Sequence, residues 1–263
     1  MIDYLQAIVL GIIQGVTEWL PVSSKAVVAV FGKFVFGLDY KEALGDALFL
    51  HSGTLIASVV YFRDDLIAIV KSVLDKNAKK NLAIFLAVST ICTGIIALPL
   101  LYLTLNFDFP ESYFTIMIGA FLLVIAYMHK NRKEAEVSEE LDVKKAVVVG
   151  LAQGLSAIPG FSRSGTTIGA LLTQKVSLAD AFRLSFLMSI PIVLGVELVL
   201  PFIKHNYSIS MPLIVGSVVA GVISMFAVKK LLEIAAHKDF YKVIGVIALL
   251  IIGAGLFLFF GSA

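Results

Sequence analysis

Two short polar clusters interrupt an otherwise apolar chain, and their residue types are those needed to handle a phosphoryl group. The first reads Gln14-Gly-Val-Thr-Glu18-Trp-Leu-Pro-Val-Ser23-Ser24-Lys25, the second Pro159-Gly-Phe-Ser162-Arg163-Ser164-Gly-Thr-Thr167. Gln14 and Glu18 are four apart, hence on one face of a helix. A carboxylate or an arginine at membrane depth costs roughly 2.5 to 3.5 kcal/mol, so Glu18 and Arg163 should meet each other, an ion or a substrate. Arg163, centred in Ser-Arg-Ser, is placed as a fork for oxyanions. The segment after each break begins a helix whose first N–H groups lack intrahelical partners and whose positive dipole end faces the break. Together with the hydroxyls of Ser23, Ser24, Ser162 and Ser164, two such N-termini make an anion site suited to phosphate. Lys25 adds a further cation. Glu18 fits a pure anion site poorly unless it works as acid or base, or holds a divalent cation bridging to phosphate. Plainer readings stand beside these: Glu18 as an interfacial residue with Trp19 as membrane anchor, Arg163 as a brace on carbonyls or on Glu18, and each serine as an ordinary N-cap.

The elements that must position these residues are membrane helices. Of 263 residues, 59% are apolar and only 15% carry charge, whereas soluble domains run near 25% charged. A spanning helix needs roughly 20 apolar residues. Six segments reach about that length: Leu44 to Phe62, Leu82 to Leu105, Ser112 to Met128, Leu178 to Ile203, Met211 to Val228 and Phe240 to Phe260. Two further regions, Ile2 to Phe36 and Val143 to Gln174, are broken in their middles, and the helix after each break is too short to cross. Re-entrant helix-loop-helix hairpins are the economical reading, because non-helical backbone at membrane depth is tolerated where it is buried in protein or lines a polar cavity. The expected fold is thus an all-α polytopic membrane protein of six transmembrane helices plus two re-entrant hairpins.

Lys and Arg cluster in three connections: Arg63, Lys71, Lys76, Lys79 and Lys80; Lys130, Arg132, Lys133, Lys144 and Lys145; and Lys229, Lys230 and Lys238. The opposite connections hold only Lys41 and Lys204, with Asp108 and Glu111 in the 106–111 turn. By the positive-inside rule the three clusters face the cytoplasm and both termini lie outside. The small, scattered net charge of +2 argues against nucleic acid. The single cysteine, Cys92, excludes an intrachain disulfide and a Cys-based zinc site. The first residues show no basic n-region or cleavage site of a removable signal peptide.

The broken regions resemble each other. A shift of 139 residues aligns Gly11, Gln14, Gly15 and Ser23 with Gly150, Gln153, Gly154 and Ser162. Each unit is one hairpin followed by three spans, and an odd number of crossings inserts the second copy upside down. The expectation is a single membrane domain, 1–263, built as an inverted-topology repeat of about 1–128 and 143–263 joined by a charged cytoplasmic loop of about 129–142. The two hairpin tips then meet near the midplane.

The sequence at both breaks resembles the undecaprenyl-diphosphate phosphatases of the bacitracin-resistance (BacA) type. Gln14 to Ser24 is similar to the family's (E/Q)xxxE helix running into PVSS, and Pro159 to Thr167 to its PGxSRSxxT signature. Agreement extends to Leu50-His51-Ser52-Gly53-Thr54-Leu55, to Tyr61-Phe62-Arg63 and to Arg183-Leu184-Ser185-Phe186-Leu187. The resemblance implies removal of the terminal phosphate from a polyprenyl diphosphate in the cell membrane, recycling the carrier lipid of glycan assembly, with a divalent cation, Mg²⁺ or Ca²⁺, required. It implies catalytic roles for Glu18, for Ser24 as nucleophile and for Arg163. Gln14, Ser23, Ser162, Ser164 and Thr167 are then substrate-binding, joined by Lys25 on the strength of its place at the tip and not of the resemblance, and Glu18 with Gln14 would hold the metal. Self-association into a homo-oligomer is left open.

One departure matters. Family members continue PVSS with Thr-Gly-His, a histidine considered catalytic, and this chain reads Lys25-Ala26-Val27. His51, inside a span, could supply another imidazole or be structural, while His129, His205 and His237 flank spans and are expected at the interface. A different class, a polyprenyl-phosphate translocase that binds without hydrolysing, fits the same architecture. Glu18 separates the two, since a carrier of anionic headgroups gains little from a carboxylate.

Overall fold

The computed structural model describes residues 2–20, 23–75, 80–106, 111–131, 140–158, 161–203, 209–237 and 239–261, and every regular element among them is helical. Pro21-Val22 and Pro159-Gly160 at the two breaks lie outside the described residues, as do most of the 106–111 turn and the 129–142 connection, and Lys76, Lys79, Lys204, His205 and Lys238.

The first broken region is a helix pair, α1 (Tyr4–Thr17) and α2 (Ser24–Phe36). α1 opens with a capping box: Asp3 Oδ1 accepts from the Gln6 N–H at 2.8 Å, and Gln6 Oε1 accepts from the Asp3 N–H at 3.0 Å. α2 stops because Gly37 takes φ +67°, letting its N–H reach Lys33 O at 3.1 Å while the Leu38 N–H reaches Gly32 O at 3.2 Å. The second broken region is α7 (Val143–Gly154), a single 3₁₀ turn (Leu155–Ala157) and α8 (Arg163–Thr173). With 13 and 11 residues, α2 and α8 reach about 16 to 20 Å at about 1.5 Å per residue, well short of a hydrocarbon core of about 30 Å.

Among the described residues five helices are long and apolar enough to cross a membrane: α3 (Tyr40–Tyr61), α5 (Asn81–Asn106), α9 (Leu178–Ile203), α10 (Met211–Ala236) and α11 (Phe240–Gly261). α4 (Arg63–Leu74) lies between α3 and α5, and α6 (Glu111–Lys130) between α5 and α7. The sixth expected crossing, Ser112 to Met128, is helical within α6, but its apolar stretch is shorter, Thr115–Lys130. Residues 63 to 74, expected as part of a charged connection, instead form α4, none of whose residues is buried. Its Asp65 pairs with Arg183 of α9, fixing α4 to the bundle. His129, expected at the interface, is buried with its ring 6.1 Å from that of Phe240.

Each short helix pair leans on a long helix from the other half of the chain: α1 packs along α10, and α7 along α5. Contact is backbone to backbone. A Cβ at Gly11 would collide with the Gly216 carbonyl, and one at Gly150 with the Ser89 carbonyl, the close approach that small residues give membrane helices. Side-chain hydrogen bonds follow the same seams: Ser224 Oγ donates to Gly15 O at 3.0 Å, and Thr93 Oγ1 to Gly150 O at 3.0 Å. α6 packs along α11, and α3 meets α9. The largest core joins residues from both halves, including Trp19, Phe62, Phe85, Leu122, Phe186 and Ile244. The breaks are thereby held between long helices, next to one another.

Candidate active site

α1 ends at Thr17, whose Oγ1 bonds back to Ile13 O at 2.7 Å. The next residue, Glu18, keeps a helical backbone, so the four-residue spacing holds and Gln14 Nε2 donates to Glu18 Oε2 at 3.0 Å. The chain then turns, and α2 delivers Ser24 Oγ to the same oxygen at 2.7 Å. From the other half of the sequence, Arg163 at the start of α8 brings Nη2 to 2.5 Å from Glu18 Oε1. Both side chains of that pair are largely buried. Arg163 Nη1 donates to Ser185 O on α9 at 3.3 Å, and its guanidinium carbon lies 5.7 Å from the Phe186 ring centroid. A guanidinium has five N–H donors, and these contacts use two.

His51 of α3 was the ambiguous histidine of the sequence, and it belongs to this cluster. Its Nε2 lies 3.2 Å from Glu18 Oε2 and 3.4 Å from Ser24 Oγ. The signal available beforehand was its position as the histidine inside a span. Val27, standing where the family pattern has histidine, is half-buried in the first turn of α2. Trp19 is no interfacial anchor. It is fully buried, with its ring centroid 4.8 Å from that of Phe186 and 6.1 Å from that of Tyr61. Glu18 is buried as well.

The two breaks treat their serines differently. Ser162 Oγ caps α8 by accepting from the Gly165 N–H at 3.1 Å and also meets Ser164 Oγ at 3.3 Å. Ser164 Oγ donates to Leu20 O at 3.1 Å, tying the second break to the first. Thr167 Oγ1 bonds Arg163 O at 2.9 Å and Ser185 Oγ at 2.5 Å. The hydroxyls of Ser162, Ser164 and Thr167 thus brace the loop that carries Arg163. In the matching position Ser23 makes no side-chain cap for α2, and its buried Oγ has no partner among the described residues. Lys25 Nζ reaches Ser156 O at 3.3 Å. A small polar cleft is lined by Glu18, Ser23, Ser24, Lys25, His51, Arg163 and Ser164. The α2 side of it offers an open hydroxyl, a lysine and an N-terminal turn without a side-chain cap.

The donor set does not fit a resident divalent ion. Gln14 Oε1 is buried without a partner among the described residues, one oxygen a cation could use. Glu18 Oε1, however, is held by Arg163, and Oε2 by Gln14 and Ser24 with His51 facing it. No three His, Cys, Asp or Glu residues among the described ones converge on a common point. Mg²⁺ and Ca²⁺ want six or more oxygens, and here a single carboxylate is shared with a guanidinium.

Fold and cleft define a helical multi-pass membrane protein whose paired broken helices gather serine, lysine, arginine and glutamate side chains in one small cleft. The chain belongs to the family described as bacitracin resistance protein BacA, whose model matches residues 7–255. It is 37% identical over 249 residues to an undecaprenyl-diphosphatase of Methanococcoides burtonii, covering 91% of this chain and 94% of that one. An undecaprenyl-diphosphatase of Saccharolobus solfataricus is 32% identical over 266 residues, 96% of this chain and 95% of its own. One of Methanothrix thermoacetophila is 39% identical over 194 residues, 73% of each chain.

Proposed function

We propose that the protein is an integral membrane phosphatase that hydrolyses a long-chain polyprenyl diphosphate to the monophosphate and inorganic phosphate. The observation that carries this is Ser24 Oγ, set at the open N-terminus of α2 and 2.7 Å from Glu18, in a cleft that also holds Lys25 and Arg163. The terminal phosphoryl group lies against the first amides of α2, the Ser23 hydroxyl, Lys25 and the unused N–H groups of Arg163. Preorganised donors of this kind are typically worth about 3 kcal/mol each in the transition state. Ser24 attacks phosphorus in line, the bridging P–O bond breaks, and the lipid monophosphate leaves. Glu18 fixes Arg163 and Ser24 in their places. The isoprenoid tail lies between the spanning helices.

A divalent cation, if the activity needs one, would come with the diphosphate as its counterion and would offset phosphate charge there; the crowded Glu18 carboxylate supports that reading. The broken helices are re-entrant hairpins entering from opposite faces, α6 is a sixth crossing, and 1–128 and 143–263 are inverted repeats joined by 129–142. The matched packing of α1 on α10 and α7 on α5 supports that reading. Both termini lie outside the cell membrane, as the Lys/Arg bias indicates.

The test is release of inorganic phosphate from a long-chain polyprenyl diphosphate by protein purified in detergent, with and without chelator. Turnover lost in Ser24→Ala is the expected result. No phosphate from the wild-type protein with any cation would favour a lipid-phosphate translocase.

A further inference from the structure

His51 stands where a base for Ser24 has to stand. Its Nδ1 lies 2.6 Å from the Ala47 carbonyl. A carbonyl only accepts, so Nδ1 carries a proton, and in the neutral ring the lone pair is on Nε2. Nε2 lies 3.4 Å from Ser24 Oγ and 3.2 Å from Glu18 Oε2, within reach of the hydroxyl whose proton it would take and of the carboxylate to which it would then donate. In the resting cleft the Ser24 hydroxyl donates to Glu18 Oε2. A carboxylate paired with Arg163 and accepting from Gln14 is, however, a weaker base than a neutral imidazole. Rotation of the hydroxyl about Cβ–Oγ turns its proton to Nε2. The ring is buried on α3, an element separate from both broken helices. Other charged groups nearby are Arg163, reached through Glu18, Lys25 in the same cleft, and Glu197 of α9.

We infer that His51 is a catalytic residue, the proton acceptor that activates Ser24, with the Ala47 carbonyl fixing its tautomer and Glu18 stabilising the imidazolium that forms. As the Oγ–P bond forms and the bridging P–O bond breaks, the Oγ proton passes to Nε2, and the Nε2–H then donates to Glu18 Oε2. The proton departs with the lipid monophosphate. In the second step Nε2 takes a proton from the attacking water, the P–Oγ bond breaks, and that proton returns to Ser24 as inorganic phosphate leaves. Carboxylate and serine both approach Nε2, so this arrangement differs from a linear relay in which the acid holds Nδ1.

The inference rests on Ser24 being the nucleophile of the proposed phosphatase. His51→Ala and His51→Gln are compared with wild type in detergent, with polyprenyl diphosphate as substrate. Both variants should lose about 10²- to 10⁴-fold in kcat, the range of a general base, with KM within about threefold. Imidazole in the buffer should restore His51→Ala by at least about tenfold, whereas guanidinium, a cation without a free lone pair, restores nothing. Gln keeps a polar group at the Nε2 position, so it carries the test if the alanine variant fails to fold. Either variant turning over within about threefold of wild type, or guanidinium rescuing as well as imidazole, overturns the inference and marks His51 as a counter-ion or packing residue. A Ser24→Ala protein with full turnover instead strikes the proposed nucleophile, a result readable independently of any His51 variant.

Discussion

Arg163 Nη2 lies 2.5 Å from Glu18 Oε1, so a guanidinium and a carboxylate separated by 145 residues of sequence neutralise each other between the two broken helices. Each is a heavy burden alone. Removing one partner of a buried pair typically destabilises by about 3 to 5 kcal/mol, because the other charge stays buried without compensation. Glu18→Gln and Arg163→Gln should therefore each lower the melting temperature in detergent markedly, while the double variant recovers most of the loss. All three should release no phosphate. Double-variant stability no better than either single would show that the pair does not hold the breaks together.

The different treatment of Ser23 and Ser162 separates binding from bracing. Ser162→Ala removes an N-cap, worth about 1 kcal/mol of stability, and should leave kcat per folded molecule nearly unchanged. Ser23→Ala removes a hydroxyl that has no other partner among the described residues. A hydrogen bond to a charged group is worth about 1.5 to 3 kcal/mol, so kcat/KM should fall about 10- to 100-fold while the melting temperature hardly moves. Steady-state kinetics paired with thermal melts read both effects. The opposite pattern would assign the phosphate seat to α8.

Lys25 places its ammonium beside the open end of α2, with one contact to Ser156 O. As a point charge on the phosphate it contributes to binding more than to chemistry. Lys25→Met should raise KM about tenfold or more with kcat within about threefold, the pattern of lost uniform binding. A fall in kcat at unchanged KM would instead place Lys25 on the leaving group.

Much of this site could be read from the chain alone. The two breaks announced themselves through Pro, Gly and clustered hydroxyls in apolar runs, and the expense of Glu18 and Arg163 in a membrane implied that they meet. The division of labour among the serines could not be read, because Ser23 and Ser162 are equivalent in sequence and differ in whether the hydroxyl finds a backbone N–H: Ser162 finds that of Gly165, Ser23 none among the described residues. His51 was ambiguous for a similar reason: its approach to Ser24 depends on how α3 crosses the first break, a tertiary fact with no local signature. α4 was missed because its charges read as a solvated connection. It is a short amphipathic helix fixed by a long-range pair, Asp65 to Arg183.

The metal question turns on the same crowded carboxylate. With Arg163 on Oε1 and Gln14, Ser24 and His51 around Oε2, a cation gains little from the buried Glu18 beyond the neighbouring Gln14 Oε1 oxygen. Mg²⁺ is commonly held by one or two carboxylates plus substrate phosphates and keeps several waters, so the diphosphate itself must supply most of its ligands. Calorimetric titration of Mg²⁺ or Ca²⁺ into substrate-free protein should then show no saturable binding at millimolar concentrations. With a non-hydrolysable diphosphonate present, binding should become saturable, and chelator should abolish phosphate release reversibly. Tight stoichiometric binding of the ion to the protein alone would mean that Glu18 releases Arg163 to take a metal.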